Sequence, residues 1–369
     1  MSAGKPVPIL LIIRSLGHGG SERQLANVAL ALDRTMFEPH VASVLGGFHV
    51  DALRRAEIPV FEIPLRSFVT PGVFMAAGKL RRYIRDHGIR LVHTFDAPLS
   101  LLGIPVAATC PGVIRLSSQR SYMSLVPPNY KWPFLLTHRM ANGIVANCEA
   151  MRQHLLRDYS FPAGKVALCY NGLDTSRFSA FGRARLPEVE SASLTIGTVC
   201  VLRPEKNVGH LLEAFARVRS MRAGARLLIV GSGPEKERLE GLSASLGLGK
   251  DCVYLPSTPD AASAMRSIDI FVQPSLTEGL PNSVMGAMAC GCTVIASRVG
   301  GCPELIEEGV SGFLSEPGDL ESLTRQLGYV IGQDALRPRI AEAAAARMKE
   351  FSLERSARRM QEIYQIYLN

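Results

Sequence analysis

The chain has 369 residues, of which 47% are apolar, 7% aromatic and 20% charged. This composition is that of a globular protein with a sizeable core, and it excludes a disordered or collagen-like chain. At roughly 100–200 residues per domain, the length favours two domains. The longest apolar run near the start, residues 9–13, is far shorter than the roughly 20 residues that span a bilayer, and no signal-peptide pattern accompanies it, so we expect a cytoplasmic protein.

The net charge of +8 is unevenly distributed. Residues 1–170 contain 19 Lys/Arg and 10 Asp/Glu, whereas residues 171–369 contain 22 and 23. A basic first half fits nucleic acid, an anionic membrane or a phosphorylated substrate, and it fits a merely solvated basic surface equally well. The eight cysteines form no C-x-x-C pair and have no histidine at zinc-ligand spacing, so we expect reduced thiols and no metal site.

The first half of the chain predicts strands that alternate with amphipathic helices. Residues 8–14 form an apolar strand that ends in a glycine-rich turn, residues 16–21, where Ser21 and Gln24 have the spacing of a capping box. Further strands are predicted over residues 40–45, 60–63, 90–94, 113–116 and 143–146. This alternation is typical of a parallel, doubly wound sheet.

The second half repeats the pattern. Its strands are predicted over residues 194–202, 226–231, 252–255, 268–273 and 293–297. A turn signal at Asn171 and Gly172 and a linker-like composition over residues 178–193 place a boundary between the halves. We therefore predict two domains, residues 1–175 and 176–350, and a final helix, 351–369, whose apolar stripe needs a covering surface.

Three loops carry candidate chemistry, and the first is the glycine-rich turn. Glycines allow a backbone to approach a phosphate closely, and the start of a helix offers free N–H groups. The turn lacks the G-x-G-x-x-G spacing, so it fits a structural tight turn as well as an anion site.

The second loop, residues 202–207, reads Leu-Arg-Pro-Glu-Lys-Asn and follows a strand. Arg203 and Lys206 at the carboxyl edge of a parallel sheet are suited to neutralising a diphosphate. The alternative is a solvated loop with a surface ion pair between Arg203 and Glu205.

The third loop, residues 273–282, precedes a helix of small residues. Glu278 stands shortly before Pro281, a residue suited to a first helical turn, so its carboxylate fits either a helix cap or an acceptor for sugar hydroxyls in a cleft. A glycine pair at 300 and 301 before the next helix predicts another turn.

Together these motifs resemble glycosyltransferase family 4 over nearly the full length of the chain. The resemblance rests on the glycine pair near the start, Tyr-Asn-Gly-Leu-Asp at 170–174, the 202–207 loop and Pro-Ser…Glu-Gly-Leu-Pro-Asn at 274–282. It implies the α/β GT-B fold, with two Rossmann-like doubly wound domains facing a central cleft and a C-terminal helix that crosses back to the first domain. It also implies a nucleotide-sugar donor on the second domain, an acceptor on the first, and a retaining reaction without metal or cofactor.

The resemblance assigns roles to particular residues. Arg203 and Lys206 are expected to stabilise the departing diphosphate, and Glu278 to hold hydroxyls of the donor sugar, as the catalytic set. Further donor contacts are expected from Gly19, Gly20 and Ser21, and from Gly279, Leu280, Pro281 and Asn282. Acceptor-side residues are expected to be His93, Asp96 and Arg120. For His93 and Asp96 a core role fits equally well, and Arg120 fits either a bound phosphate or a pair with an acid.

The sequence departs from the family pattern at three places. Gly286 stands where the family usually has a second Glu that contacts the ribose, and the loss of such a bond costs about 1.5–3 kcal/mol in donor binding. Val201 stands where many members have Arg, and we expect Arg203, on the same face of an extended strand, to substitute for it. A His that many members carry after the strand near Val113 is replaced by Ser-Ser-Gln-Arg at 117–120.

The resemblance implies transfer of a hexose-type sugar from a nucleoside diphosphate to an acceptor hydroxyl, with retention, in cell-surface polysaccharide or glycolipid synthesis. The acceptor is expected to be a glycan or a lipid-linked saccharide. Two alternatives remain: a non-catalytic nucleotide-sugar-binding scaffold, which Gly286 favours, and a nucleotide-sugar 2-epimerase, which would change the sugar without an acceptor.

An anionic membrane surface is a further expected partner. One predicted helix carries four cations, Lys79, Arg81, Arg82 and Arg85, and residues 122–140 interleave aromatic and basic side chains. This pattern predicts peripheral attachment to the inner face of the membrane, and the same segment also fits an acceptor-pocket loop. Nucleic acid is not expected, because neither a stacking platform nor a recognition helix accompanies the charge.

Overall fold

The structure, a computed structural model, describes residues 5–182 and 185–369 and divides into two compact units. The first unit is the chain up to Gly172 together with the final segment Leu353–Asn369, and the second is Leu173–Ser352. The predicted divisions, after residues 175 and 350, lie a few residues from these. Residues 183 and 184, inside the predicted linker, lie outside the described residues.

The first unit is built on a sheet of seven parallel strands. They are β1 (Val7–Ser15), β2 (Phe37–Leu45), β3 (Val60–Glu62), β4 (Leu91–Thr94), β5 (Ile114–Gln119), β6 (Gly143–Ala146) and β7 (Val166–Leu168). The spatial order is β3-β2-β1-β4-β5-β6-β7. Residues 9–13 of β1 are apolar throughout because the strand is buried on both faces. The strand order reverses between β1 and β4, and such a switch point is where open α/β sheets bind ligands.

Within the described part of the first unit, seven α-helices accompany this sheet. They are α1 (Gly20–Ala31), α2 (Val50–Arg55), α3 (Gly72–Asp86), α4 (Ala97–Ala108), α5 (Pro128–Met140), α6 (Glu149–Asp158) and the last helix of the chain, α14 (Leu353–Leu368).

The predicted capping box at the start of α1 is wrong. Gly19 is the N-cap, and no side chain caps the helix. Gln24 instead binds a distant turn: its Nε2 donates to the carbonyl of Gly172 at 2.8 Å, and its Oε1 accepts the N–H of Gly172 at 2.9 Å. Buried backbone groups of this turn require partners, and a side chain with both a donor and an acceptor supplies them.

Helix α14 belongs to the first unit and supplies part of its core. The predicted apolar stripe is buried there through Met360, Ile363 and Tyr364, which lie in one cluster with residues of β1 and α1. The hydroxyl of Tyr364 also lies 2.8 Å from Nδ1 of His93 on β4. The stripe therefore finds its covering surface on the sheet of the first unit.

The second unit is built on six parallel strands. They are β8 (Leu194–Val199), β9 (Ala225–Val230), β10 (Cys252–Leu255), β11 (Ile270–Gln273), β12 (Thr293–Ser297) and β13 (Phe313–Ser315). The order is β10-β9-β8-β11-β12-β13, so this sheet has its switch point between β8 and β11.

The helices of the second unit pack an apolar stripe onto the sheet. They are α7 (Val208–Val218), α8 (Lys236–Ser245), α9 (Ala261–Arg266), α10 (Asn282–Ala289), α11 (Cys302–Leu305), α12 (Leu320–Ile331) and α13 (Leu336–Arg347). In α7, Leu211, Phe215 and Val218 recur at helical spacing and are buried in the core cluster.

The sequence pattern does not predict two short strands and the end of a third. The three-residue strands β7 and β13 are too short to give an apolar pattern. Strand β5 was predicted to end at Leu116 but continues to Gln119. Its polar end stays in the sheet because its side chains are paired: Ser118 Oγ lies 2.9 Å from His93 Nε2, and Gln119 Oε1 lies 2.8 Å from His138 Nε2.

Six of the eight cysteines are buried and two are half-buried, and all of them are free thiols. Among the described residues, no helix combines the length and the apolar character that crossing a bilayer requires.

The bond between His93 and Tyr364 gives a stability prediction. In Tyr364→Phe the ring remains but a buried imidazole nitrogen loses its partner, so we expect the free energy of unfolding to fall by about 1–2 kcal/mol. Denaturant titration followed by circular dichroism measures the change. Tyr329→Phe is the control, since Tyr329 is 49% exposed and its hydroxyl makes no hydrogen bond within the described residues. Equal stability of wild type and Tyr364→Phe would contradict the assigned role.

Candidate functional site

The loops after β8 and β11 meet at the switch point of the second unit. The two strands pair in parallel, with Ile270 opposite Ile196, so their carboxyl ends lie at the same edge of the sheet. The loops are tied by a backbone hydrogen bond of 2.8 Å from the N–H of Leu276 to the carbonyl of Glu205. The predicted cations and the predicted carboxylate are thereby brought to one place.

Glu278 accepts three hydrogen bonds on a single carboxylate oxygen. Lys206 Nζ donates at 2.7 Å, Ser275 Oγ at 2.7 Å and Gln273 Nε2 at 3.1 Å, all to Oε1. Ser283 Oγ donates to Gln273 Oε1 at 3.0 Å, which fixes the orientation of that amide. The Glu278 side chain is only 8% exposed, and within the described residues Oε2 has no hydrogen-bond partner. Oε2 is therefore available to a ligand hydroxyl.

The charge on Lys206 is secured by its partner. Burial alone would lower the pKa of Lys206, but attraction to the Glu278 carboxylate and the hydrogen bond between them outweigh it, so the pKa lies above its ordinary value. Burial raises the pKa of the nearby Cys200 thiol to about 11. Lys206 is thus a cation at neutral pH, and Cys200 is a neutral neighbour.

Arg203 differs from Lys206 in its surroundings. Its side chain is 59% exposed, and its ion pair with Glu205 is long, at 3.9 Å. The 3₁₀ turn Pro204–Lys206 follows, and Asn207 then takes a left-handed backbone conformation with φ of 51°, which Asn tolerates. The surface pair considered in the sequence analysis is present, but an exposed pair contributes only about 0–1 kcal/mol, so Arg203 is able to leave it for a ligand.

A glycine pair holds the loop that carries Glu278. Gly300 has φ of 52°, and a Cβ there would lie 2.1 Å from the carbonyl oxygen of Glu278. The N–H of Gly301 donates to the carbonyl of Gly279 at 2.7 Å. Pro281 is the N-cap of α10, which no side chain caps, so the alternative that Glu278 is a helix cap is wrong. Glu278 faces Lys206 instead.

Gly286 lies inside α10, where its neighbours leave little room. A Cβ at this position would lie 2.8 Å from the sulfur of Met265 and 3.1 Å from Cδ1 of Phe178. Met265 and Phe178 are themselves buried. A side chain at this point would therefore have to displace Met265 or Phe178.

At the switch point of the first unit, Asp96 joins the ends of two strands. Its Oδ2 accepts the N–H of Arg14 on β1 at 2.7 Å, and its Oδ1 accepts the N–H of Leu99 at 2.9 Å, which caps α4. Burial raises the pKa of Asp96 to about 6, although these two hydrogen bonds lower it. Both oxygens of this predicted acceptor-side residue thus serve the fold.

The glycine-rich turn packs against the loop after β2. Gly47 has φ of 148°, and a Cβ there would lie 2.7 Å from the N of Gly17, so the two loops touch backbone to backbone. A Cβ on Gly19 would lie 2.1 Å from Oε2 of Glu22, so that carboxylate occupies the space beside Gly19. Gly20 and Ser21 lie in the first turn of α1, so a helix begins directly after the glycine-rich segment, as the sequence predicts.

His93 is a core residue. It is completely buried, and its two ring nitrogens lie within hydrogen-bond distance of Tyr364 and Ser118. Burial, with a smaller contribution from the charge of Arg120, lowers the pKa of His93 to about 3, so the ring is neutral. Both ring nitrogens are engaged by Tyr364 and Ser118, so His93 offers neither of them to an acceptor substrate in this structure. Its contact with Tyr364 fixes α14 to the sheet instead.

Arg120 directly follows β5. Its Nη2 donates to Oδ1 of Asn171 at 2.7 Å, and its guanidinium carbon lies 5.7 Å from the centre of the Phe95 ring. No carboxylate oxygen lies within 4.0 Å of its nitrogens, so the predicted pair with an acid is not formed among the described residues. Burial lowers the pKa of Arg120 to about 10, which leaves it charged at neutral pH.

The predicted site residues are divided between the two units. The second unit brings together Lys206 and Glu278 and carries Arg203 and the 279–282 segment on the same pair of loops. The sequence analysis missed Gln273, Ser275 and Ser283, which orient Glu278. The signal for them was a glutamine at the end of a buried strand, followed two residues later by a serine.

Two family models match the chain. Residues 187–347 match the model described as "Glycosyl transferases group 1", and residues 18–177 match the one described as "Glycosyltransferase Family 4". The chain belongs to glycosyltransferase family 4. This confirms the family predicted from the sequence motifs.

Curated relatives of this glycosyltransferase include two with long matches. The "Sulfoquinovosyl transferase SQD2" of Arabidopsis thaliana is 26% identical over 83% of this chain and 61% of its own length. The "GDP-mannose-dependent alpha-(1-6)-phosphatidylinositol monomannoside mannosyltransferase" of Mycolicibacterium smegmatis is 27% identical over 75% of each chain. The chain thus spans less than two thirds of the first relative and three quarters of the second.

A solved structure shows the same fold. Anabaena Alr3699/HepE, in complex with UDP-glucose, superposes with a TM-score of 0.84 over 97% of this chain and 99% of its own, at 21% identity. The glycosyltransferase therefore has the GT-B fold, with two Rossmann-like units on all-parallel sheets, as predicted.

The packing around Gly286 gives a second stability prediction. Gly286→Ala gains about 1 kcal/mol of helix propensity, but overpacking against Met265 and Phe178 costs about 1–3 kcal/mol, so we expect a net loss in the free energy of unfolding. Met265→Ala in the same chain should relieve part of the loss, which denaturant titration measures.

The matched control is Gly241→Ala, in the middle of α8, where a Cβ would meet nothing within 4 Å. There we expect stabilisation by about 0.5–1 kcal/mol. The packing argument fails if both glycines respond to alanine in the same direction.

Proposed function

We propose that this glycosyltransferase moves a hexose-type sugar from a nucleoside diphosphate to the hydroxyl of an acceptor, with retention of configuration and without a metal ion. The observation that carries this proposal is the buried pair of Lys206 and Glu278 at the switch point of the second unit. It places a cation and a carboxylate where open α/β sheets bind ligands.

Glu278 is the residue that holds the donor sugar. Its Oε1 is saturated by three donors, which hold the carboxylate rigidly, while Oε2 is left to accept a hydrogen bond from a sugar hydroxyl. A charge-assisted bond of this kind contributes about 1.5–3 kcal/mol. Rigid support of this sort positions the anomeric carbon for reaction.

Lys206 and Arg203 act on the diphosphate. When the bond between the anomeric carbon and the diphosphate oxygen breaks, the electron pair leaves with the diphosphate. A new bond forms from the anomeric carbon to the acceptor oxygen, and the proton of that hydroxyl passes to the departing diphosphate oxygen. The added negative charge makes cations worth more in the transition state than in the bound donor. The exposed Arg203 is free to reach it, and the N–H groups at the start of α10 add positive potential.

The relatives support the class of donor and acceptor. One solved structure of the same fold holds UDP-glucose, and a curated relative is named for transfer from GDP-mannose to a phosphatidylinositol mannoside. We therefore propose a glycan or lipid-linked saccharide as the acceptor, in the synthesis of cell-surface polysaccharide or glycolipid.

A second candidate is a protein that binds a nucleotide sugar without transferring it. Gly286 favours this alternative because it offers no carboxylate to the donor. The two candidates share the donor site and differ only in turnover, so product analysis with saccharide acceptors separates them once a donor is known.

The donor site is tested by thermal shift with a panel of nucleoside diphosphates and nucleotide sugars. A ligand that binds only the folded state raises Tm with its concentration. We expect a shift with one base family and a Kd about 10–100-fold weaker in Lys206→Ala, since a charge-assisted contact is lost. Arg203→Ala should weaken binding without lowering the Tm of the free protein, because its side chain is mostly exposed.

The control is Arg226→Ala, which removes a cation near the opposite end of a strand in the same unit. Binding should be unchanged there. No shift with any nucleotide at millimolar concentration would overturn the proposed donor site, and an equal loss in Arg226→Ala would reduce it to non-specific attraction.

We also propose peripheral attachment to an anionic membrane through the first unit. Helix α3 exposes Phe74 at 79% and Met75 at 54%. Its four cations, Lys79, Arg81, Arg82 and Arg85, are exposed as well. On α5, Trp132 and Leu136 are exposed, whereas Phe134 and Leu135 of the predicted aromatic segment are buried in the core. Apolar side chains beside cations suit the interface of an anionic bilayer.

Sedimentation with phosphatidylglycerol vesicles at low salt tests this attachment. With about 1 kcal/mol for each cation near the surface, glutamine at all four α3 cations should weaken binding by about two to three orders of magnitude. The control replaces four exposed cations of the second unit, Arg217, Lys236, Arg238 and Lys250. If the control loses as much, or if the wild type does not sediment, the attachment is wrong.

A further inference from the structure

Arg120 stands at the carboxyl edge of the first unit's sheet, on the face that α14 covers. Along β5, Leu116 and Ser118 lie on the same side as Arg120, since alternate residues of a strand share a face. Leu116 is in the core cluster with Tyr364, and Ser118 contacts His93. The guanidinium therefore leaves this face at the point where the strand ends, at the ligand-binding edge of the sheet.

The guanidinium is under-used as a hydrogen-bond donor. Of its five N–H groups, one is paired within the described part of the chain, where Nη2 donates to Oδ1 of Asn171. Nε is buried and has no hydrogen-bond partner among the same residues. A half-buried cation without a counter-ion is costly in a protein, and the cost is removed when an oxyanion binds it through a bidentate pair.

The negative charge of Glu22 acts on Arg120, but the two side chains do not form an ion pair. This charge raises the pKa of Arg120, against the larger lowering by burial. No Glu22 oxygen lies within 4.0 Å of the guanidinium, and the carboxylate lies against Gly19 instead. Among the described residues, no carboxylate therefore pairs with Arg120.

The surroundings of Arg120 are held in place before any ligand arrives. Asn171 precedes Gly172, whose backbone N–H and carbonyl are both bound by Gln24. On its other side, the carbonyl of Tyr170 accepts a hydrogen bond from Ser356 Oγ at 2.7 Å. Helices α1 and α14 thus fix the segment that orients the guanidinium, as a preformed site requires.

A second unused polar atom lies on the adjacent strand. Gln119 of β5 and Ala146 of β6 are paired in the sheet. Arg120 and Asn147 come directly after them, so they stand at the ends of two adjacent strands. Oδ1 of Asn147 is buried and has no hydrogen-bond partner within residues 5–182 and 185–369. This edge of the sheet therefore places an unpaired hydrogen-bond donor beside an unpaired hydrogen-bond acceptor. The donor suits an acidic group of a ligand, and the acceptor suits a hydroxyl of the ligand.

We propose that Arg120 is an oxyanion-binding residue that selects acceptors bearing a phosphate or a carboxylate, with Asn147 accepting a hydroxyl of the same molecule. The inference rests on the proposed function in one respect: the ligand is called an acceptor because we propose that the protein transfers a sugar. It assigns to the first unit a preference for an acidic saccharide or a phosphate-linked one over a neutral glycan.

Inorganic phosphate and glucuronate are the two probes, and thermal shift on the full chain is the readout. The background variant is Lys206→Ala, which removes the buried cation of the second unit. We expect Tm to rise with probe concentration in this background and the rise to disappear when Arg120→Gln is added. A response to phosphate alone identifies a phosphate-linked acceptor, and a response to glucuronate alone identifies a uronic acid.

Arg115→Gln is the matched control. Arg115 lies on the same strand, but its side chain donates to the carbonyls of Met140 and Val113, so its cation is already engaged. The probe-induced shift should survive there. If Arg115→Gln abolishes it equally, or if neither probe shifts Tm at tens of millimolar, the proposal is wrong.

The Tm of the free protein separates a ligand site from a structural role. Because Arg120 has no counter-ion within the described residues, Arg120→Gln removes an unpaired, half-buried charge and should leave Tm unchanged or raise it. If Arg120→Gln and Glu22→Gln both lower Tm by several degrees, the two side chains pair in solution and the proposal is overturned. Nucleotide-induced shifts in Arg120→Gln report on the donor site separately, so failure of the proposed function would leave this result readable.

Discussion

The reversal of strand order in each sheet is the constraint on which the arrangement of functional groups depends. Where the first and fourth strands of a unit lie side by side, the chain leaves them in opposite directions, and the edge between the two exits stays open. An open edge exposes backbone and side-chain polar groups that need partners. Asp96 meets this need in the first unit by bonding the end of β1 while capping α4. In the second unit the pair of Lys206 and Glu278 meets it, by linking the loops after β8 and β11.

The charged side chains at these edges differ in how fully their charges are paired. Glu278 is buried and holds three donors on one oxygen, and breaking a buried pair by removing one partner costs about 3–5 kcal/mol. Arg203 is exposed, and the loss of its surface pair costs about 0–1 kcal/mol. The second unit therefore combines a fixed carboxylate with a movable cation, which suits a substrate whose sugar must be held while charge develops on its diphosphate. Arg120, by contrast, is held by Asn171 and has no counter-ion among the residues that the structure describes.

The sequence predicted the strands wherever burial on both faces made them apolar, as in β1 and β8. It placed Arg203, Lys206 and Glu278 on loops at strand ends, which is where they lie. The end of β5 was missed because Ser117, Ser118 and Gln119 read as a polar loop, although pairing with His93 and His138 lets two of them stay in the sheet. The contact between Lys206 and Glu278 spans 72 positions, and the clamp of Gln24 on Gly172 spans 148. Side-chain partners this distant depend on the tertiary fold, and no local pattern in a single sequence encodes them.

Gly286 illustrates how a departure from a family pattern acquires a physical meaning only in context. From the sequence, a glycine in place of a glutamate reads as a lost donor contact. A recent loss of a large side chain would leave a cavity, since surrounding structure relaxes only partly around a truncation. Here Met265 and Phe178 lie so close that even a methyl group would be crowded. The side chains around Gly286 are therefore packed closely against the glycine. Under the proposed function, the donor would then be held chiefly by Glu278, Lys206 and Arg203, and recognition would rest on the sugar and the diphosphate rather than on the ribose.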